Sequence, residues 1–266
     1  MSDVVELTVG DDGVAVVRLN RPERKNAWTL EMFDALAAAA DRLAGRKGLR
    51  AVILTGAGGT FSSGLDLSVL QGFAGDIEAL KREILTPPDG ALANRFQKPC
   101  TAWAALPVPV IAAIEGVAYG AGLQLALAAD FRIAAPGARL SIMEAKWGLI
   151  PDMGISQFLP RLIRADQAKE LIMSARVMAA EEALSLGLVT RIAEDPLAAA
   201  RALAADLARK SPDALAAAKR LVDESWTMPP GPGLALEARL QASIIGQPNQ
   251  VAAVMAGLTG KQATYR

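Results

Sequence analysis

The chain contains no histidine. That absence excludes a Ser-His-Asp or Cys-His nucleophile system, a histidine base and every histidine-containing metal site. Proton transfer must then fall to Asp, Glu, Lys, Tyr or Cys. There is one cysteine, Cys100, so no intrachain disulfide can form. Its plain reading is a small buried hydrophobe, and scarce cysteine fits a reducing compartment. Neither sign of charge is in excess, with Lys+Arg and Asp+Glu at 28 each. A neutral balance gives no general attraction to nucleic acid or to an anionic membrane. Long apolar runs are missing too. The longest, 107–114, is far too short to span a bilayer. The opening MSDVVELTVGDDGV lacks the basic-then-apolar pattern of a signal peptide. The expectation is a soluble, cytoplasmic protein. The sequence also has neither the G-x-G-x-x-G dinucleotide fingerprint nor a G-x-x-x-x-G-K-[ST] phosphate loop. An NAD-dependent enzyme is therefore disfavoured.

What is present is enough for a substantial core. The 266 residues are 52% hydrophobic with positive mean hydropathy, which fits one domain with a smaller appendage. Two β-branched runs, 4–9 and 14–20, flank Gly10-Asp11-Asp12-Gly13 and predict a hairpin. Thr29 is placed to cap a helix to about Leu43, with Met32, Phe33, Leu36, Ala40 and Leu43 on one face. Strands are expected at 51–55, 108–114, 131–134, 140–142 and 188–192. Residues 67–106 read as irregular helix broken at Pro87-Pro88-Asp89-Gly90. From Gly154 onward helices dominate; Asp195-Pro196 and Ser211-Pro212 start two of them. The run Pro229-Pro230-Gly231-Pro232 separates the last two helices from the rest. Strands alternating with helices indicate an α/β arrangement.

The stretch from Pro107 to Asp152 is the most informative. A buried strand leads into Gly116-Val-Ala-Tyr-Gly120-Ala121-Gly122, which opens a helix to about Ala129. Glycines permit tight turning and close approach of a ligand. The helix start leaves N–H groups free beside the positive end of the dipole, which suits a developing oxyanion. Close strand–helix packing explains the same glycines. Upstream, Phe61-Ser62-Ser63-Gly64-Leu65-Asp66-Leu67 follows a strand; alone it reads as a turn, with Asp66 charging the next helix. Glu144 and Asp152 follow the glycine turn. Glu144, among Ile142, Met143 and Trp147, is a candidate for a raised pKa, or else a loop acid paired with Lys146.

Taken in order, these segments resemble the crotonase superfamily, the enoyl-CoA hydratase/isomerase family, over nearly the whole chain. Asn20-Arg21-Pro22…Asn26-Ala27 looks like its N-terminal signature, 61–67 like its first oxyanion segment and 109–130 like its second. Ile150-Pro151, Leu159-Pro160 and 180–189 match in turn.

The resemblance implies an α/β crotonase-type spiral of repeated strand–strand–helix units over residues 1–200. A helical oligomerisation region, 201–266, would build a homotrimer or a dimer of trimers, with Leu234, Leu240, Ile244, Ile245, Val251 and Val254 as apolar surface. It further implies an acyl-CoA substrate, with coenzyme A entering as part of that substrate and no permanently bound cofactor or metal. The thioester oxygen would sit between the main-chain N–H groups of Leu65 and Ala121, beside Gly64 and Gly120. The loop around Arg24, Lys25, Asn26 and Ala27 and the backbone near Ser62 and Ser63 would meet the nucleotide half, and Lys261, in the last helix, its phosphates.

Hydratases of the family typically use two glutamates. Here the first position is Gln124, which cannot act as a carboxylate base, and the second is Glu144. Asp152 stands where many hydratases carry glycine. The segment 144–154 looks more like dienoyl-CoA isomerases, although their usual acid at the Gln124 position is missing. Isomerisation through a thioester enolate is therefore favoured over hydration, with Asp152 as base and Glu144 as proton donor. Thioester hydrolysis, decarboxylation, ring isomerisation or a non-catalytic CoA-binding homologue are the alternatives.

Overall fold

The expected hairpin is present. In the computed structural model, which describes residues 3–72 and 76–265, β1 (Val5–Val9) pairs antiparallel with β2 (Val14–Leu19). Gly13, at φ +76°, closes the turn by donating its N–H to the Gly10 carbonyl.

From β2 onward the main sheet is parallel. Its order is β1, β2, β3 (Ala51–Gly56), β4 (Val110–Ile114), β6 (Phe131–Ala134) and β9 (Arg191–Ile192). A smaller sheet joins β5 (Val117–Tyr119), β7 (Arg139–Ser141) and β8 (Met178–Ala179).

The apolar runs of β3 and β4 are continuous because both faces of the sheet are covered. Side chains alternate across the pleat. Val52, Leu54, Val110, Ala112 and Ile114 join the main core, which includes the helix Leu30–Ala44. Ala51, Ile53, Ile111 and Ala113 face Ala200 and Ala204 of the helix Pro196–Ala208 on the other side. The boundary expected at 200/201 thus falls inside a helix that seals the sheet.

Thr29 caps Leu30–Ala44, its side chain accepting from the Met32 N–H at 3.3 Å. The five residues expected on its inner face are all buried. Thr29→Ala removes that acceptor and is expected to cost about 1 kcal/mol, measured by urea denaturation.

Four details differ from expectation. Val117–Tyr119 forms a strand rather than part of the glycine turn, because three residues between two glycines carry no readable period. The strand expected at 188–192 is only Arg191–Ile192, while Glu144–Trp147, for which no element was expected, is a single 3-10 turn. Pro230, Gly231 and Pro232 are the first turn of the helix Pro230–Ile244, where backbone N–H groups have no helical partner and proline loses nothing. Residues 73–75, within the stretch read as irregular helix, lie outside the described residues.

The helix Pro212–Ser225 is fastened to the sheet by Lys219, which donates to Asp130 at 2.9 Å; Asp130 also accepts from the Val110 N–H at 2.7 Å. Against it pack Pro230–Ile244 and the helix Pro248–Thr259. Of the apolar residues expected on this tail, Leu240 is buried within the chain and Ile244 half-buried, whereas Leu234, Ile245, Val251 and Val254 are exposed. No helix among the described residues is long and apolar enough to cross a membrane.

Candidate active site

A cleft of about 800 Å³ opens beside the C-terminal ends of β3 and β4, and the glycine turns form its floor. Trp28, fully buried beneath the cleft surface, braces the first turn. Its N–H donates to the Gly64 carbonyl at 2.8 Å and its carbonyl accepts from the Asp66 N–H at 2.9 Å. In such a parallel bridge the residue between, Leu65, turns its own N–H away from Trp28. Ala121 is the first residue of the helix Ala121–Leu127, so its N–H has no partner within the helix. Neither amide donates to a protein acceptor among the described residues.

The two turns are pressed together. A Cβ on Gly64, at φ +89°, would lie 2.7 Å from the Tyr119 carbonyl oxygen and 3.7 Å from the Ala121 nitrogen; one on Gly120, at φ +50°, would lie 4.0 Å from the Gly64 Cα. Close packing demands glycine at 64 and the positive φ favours it at 120, and the residues that follow, Leu65 and Ala121, both line the cleft. The helix has only seven residues, so the individual N–H group matters more here than any macrodipole.

Both expected acids line the same cleft. Glu144 is held by Gln124, whose Nε2–H donates to Oε1 at 2.7 Å. The Gln124 Oε1 in turn accepts from the Met153 N–H at 2.8 Å. Since a main-chain N–H can only donate, the amide orientation is forced. Glu144 Oε2 is buried without a partner. Burial pushes the Glu144 carboxyl above the ordinary range; the Gln124 hydrogen bond and the main-chain amides pull it back, and Asp152 adds to the rise. Asp152 is open to the cleft, yet desolvation by the surrounding protein raises its carboxyl as well. The alternative pairing of Glu144 with Lys146 is not what forms. Lys146 lies over the Trp147 ring, 5.5 Å from its centre.

A third carboxylate in the cleft, Asp66, behaves oppositely. It accepts from the Ser68 N–H and hydroxyl at 3.1 and 2.8 Å, and from Arg21 at 3.1 Å. The Ser68 hydrogen bonds, followed by Arg21, hold it below the ordinary range. It stays ionised and is a poor proton carrier.

Arg24, Lys25, Ala27 and Ser63 line the cleft, the first two exposed at its rim. Ser62 does not reach it. The residue is fully buried, its hydroxyl donates to the Asn26 carbonyl at 2.9 Å, and its oxygen accepts from the Gly64 N–H at 3.1 Å. Its side chain braces the turn, and of the two serines it is Ser63 that lines the cleft. Asn26 is likewise inside. At φ +53°, it accepts from the Arg21 N–H and donates to the carbonyls of Ala57 and Thr60, locking the 25–27 loop to the 56–61 loop. Asn26→Ala strands three main-chain groups and is expected to lower stability by at least about 1–3 kcal/mol, read by chemical denaturation. Lys261 lies beyond the last helix, after Gly260 at φ +66°, and is exposed away from this chain's cleft.

Sequence reasoning missed the Arg21–Asp66 pair and the apolar wall of Phe33, Leu80, Ile84 and Phe96. Phe33 and Phe96 meet edge-to-face at 5.6 Å. These residues come from three separated segments, and only the fold assembles them. Among the described residues no group of three or more acidic or cysteine side chains is arranged to hold a metal.

Known proteins show the same sequence pattern and fold. The profile of the enoyl-CoA hydratase/isomerase family matches residues 10–259. The chain belongs to that family. The enoyl-CoA hydratase/isomerase assignment agrees with relatives matched over two thirds or more of their own length. The mouse mitochondrial methylglutaconyl-CoA hydratase is 34% identical over 96% of this chain and 80% of its own. The mouse mitochondrial Delta(3,5)-Delta(2,4)-dienoyl-CoA isomerase is 38% identical over 81% of this chain and 67% of its own. The crystal structure of an enoyl-CoA hydratase from Bacillus anthracis superposes with a TM-score of 0.88 at 30% identity, covering 98% of each chain. The protein is thus an enzyme of a family with both hydratases and isomerases among its members, and its fold is the crotonase fold.

Proposed function

We propose that this enzyme moves a double bond in an acyl-CoA thioester through an enolate, and that isomerisation rather than hydration is its main reaction. One observation carries the reading. The free amides of Leu65 and Ala121 line the cleft that Glu144 and Asp152 also line, while the side chain at 124 is an amide that no longer offers a second glutamate.

In this reading the thioester oxygen accepts from both amides. Asp152 takes a proton from the carbon next to the carbonyl, and the electron pair moves into the thioester to give an enolate. Glu144 then delivers a proton to a carbon further along the conjugated chain. One acid has gained a proton and the other has lost one, and exchange with water restores both. Amides aimed at the oxygen are worth most in the transition state, where its charge is largest. The upward shift of the Glu144 carboxyl suits a group that must carry a proton in order to deliver it.

Coenzyme A is the carrier portion of the substrate. Arg24 and Lys25 at the rim, with Ala27 and Ser63 beside them, suit its nucleotide half. The acyl chain runs toward Phe33, Leu80, Ile84 and Phe96. Exposed Leu234, Ile245, Val251 and Val254 on the last helices support assembly into a trimer or a dimer of trimers, testable by light scattering. In such an assembly Lys261 serves a neighbouring cleft. The cytoplasm completes this reading and is checked by cell fractionation.

A spectrophotometric assay with crotonyl-CoA and a 3,5-dienoyl-CoA tests the proposal. Turnover of the dienoyl thioester above crotonyl hydration is expected. Thioester hydrolysis with neither substrate rearranged or hydrated sinks it.

A further inference from the structure

Gln124 is 1% exposed, in the first two turns of its helix, and both ends of its side-chain amide are engaged. One end reaches Glu144 at 2.7 Å and the other reaches the amide of Met153, the residue after Asp152, at 2.8 Å. This single uncharged side chain therefore links the two segments that carry the acids. The amide oxygen and one of the two N–H groups are thus taken up inside the protein, which ties the side chain down at both ends.

We propose that Gln124 is a positioning residue: a neutral strut that ties the Glu144 side chain to the Asp152 loop and fixes its Oε1 at one place in the cleft. The inference rests on the reading of Glu144 and Asp152 as the proton-moving pair, and adds how the pair is held and balanced. Neutrality is as important as reach. A carboxylate at 124 would retain the Met153 contact but set a second negative oxygen against Glu144 Oε1. Like charges at that separation cannot both ionise freely. An apolar side chain of equal length would leave Glu144 Oε1 without its donor and the Met153 N–H without its acceptor.

The other groups acting on Glu144 are few. Asp152 faces it from the following loop. The buried thiol of Cys100, on the helix Lys98–Ala104, feels both acids, which together with burial push it upward. Lys146, on Glu144's own turn, is occupied with Trp147. The main-chain amides of Glu144 and Met143 hold the carboxyl down and remain in either variant; loss of the Gln124 hydrogen bond to the ionised form should move Glu144 upward against them.

The test compares wild type, Gln124→Met and Gln124→Glu, with circular dichroism confirming the fold. Infrared difference titration follows the Glu144 carboxyl band, assigned by its loss in Glu144→Gln. The midpoint should rise by about 1 unit or more in both variants, and further in Gln124→Glu. With a dienoyl-CoA substrate, the alkaline limb of the kcat profile should follow the same rise, because Glu144 must be protonated to donate. KM should stay within about threefold of wild type. An unmoved midpoint overturns the proposal, as does a raised KM with an unmoved alkaline limb, since that pattern means Gln124 touches the substrate. Should Gln124→Met not fold, Gln124→Glu carries the test, because it keeps the Met153 contact. The titration needs no turnover, so the strut and the isomerase reading can fail separately.

Discussion

Asp152→Asn is expected to lower kcat on a dienoyl-CoA by on the order of 10²–10⁴, with KM nearly unchanged. The substitution keeps size and polarity and removes only the ability to take a proton. Asp152 makes no ion pair among the described residues, and its carboxylate is open to the cleft. It therefore holds little of the fold in place, in contrast with Asp66, whose oxygens are taken by Ser68 and Arg21. Equal losses in kcat and in CoA-thioester binding would mean that Asp152 shapes the pocket rather than moving protons. The pH profile supplies a second check. Desolvation raises the Asp152 carboxyl above the ordinary aspartate range, so a base at this position loses activity as the pH falls through that raised value. In Asp152→Asn this acid limb should disappear from the residual rate.

Gly64→Ala is the second large effect, expected at on the order of 10²–10³ in kcat. Main-chain donors cannot be deleted by mutation, but they can be displaced. The added Cβ would stand 2.7 Å from the Tyr119 carbonyl oxygen, closer than real Cβ atoms come, and the backbone is at φ +89°, where alanine is strained. Relief requires the 62–66 turn to shift, carrying the Leu65 N–H with it. Gly137→Ala is the control, since nothing lies within 4 Å of a Cβ there; its rate should match wild type. If Gly64→Ala also kept the wild-type rate while remaining folded, the Leu65 amide would have no part in the chemistry.

Much of the architecture was legible because burial imposes simple patterns. The continuous apolar run of 51–55 marks a strand covered on both faces, and Thr29 with its inner-face residues marks a capped amphipathic helix. Asp195-Pro196 and Ser211-Pro212 start helices as expected. Short elements were not legible. Val117–Tyr119 and Met178–Ala179 exist because neighbours supply their hydrogen bonds.

The candidate site divides the same way. Residues whose chemistry follows from local sequence, such as the glycine turns and Glu144, could be singled out in advance. Those defined by distant partners could not. Ser62 read only as part of a turn, whereas folding buries its hydroxyl between Asn26 and Gly64. Gln124 looked like a missing carboxylate, whereas folding makes it a two-ended link between Glu144 and Met153. The apolar wall joins Phe33, Leu80 and Phe96 from segments far apart in the chain.

The most direct measurement is a crystal structure of the enzyme with an unreactive acyl-CoA bound. The thioester oxygen should lie about 2.7–3.1 Å from the amide nitrogens of both Leu65 and Ala121, with the Glu144 and Asp152 carboxyls beside the acyl chain. A thioester seated elsewhere in the cleft, with either amide still facing solvent, would contradict it.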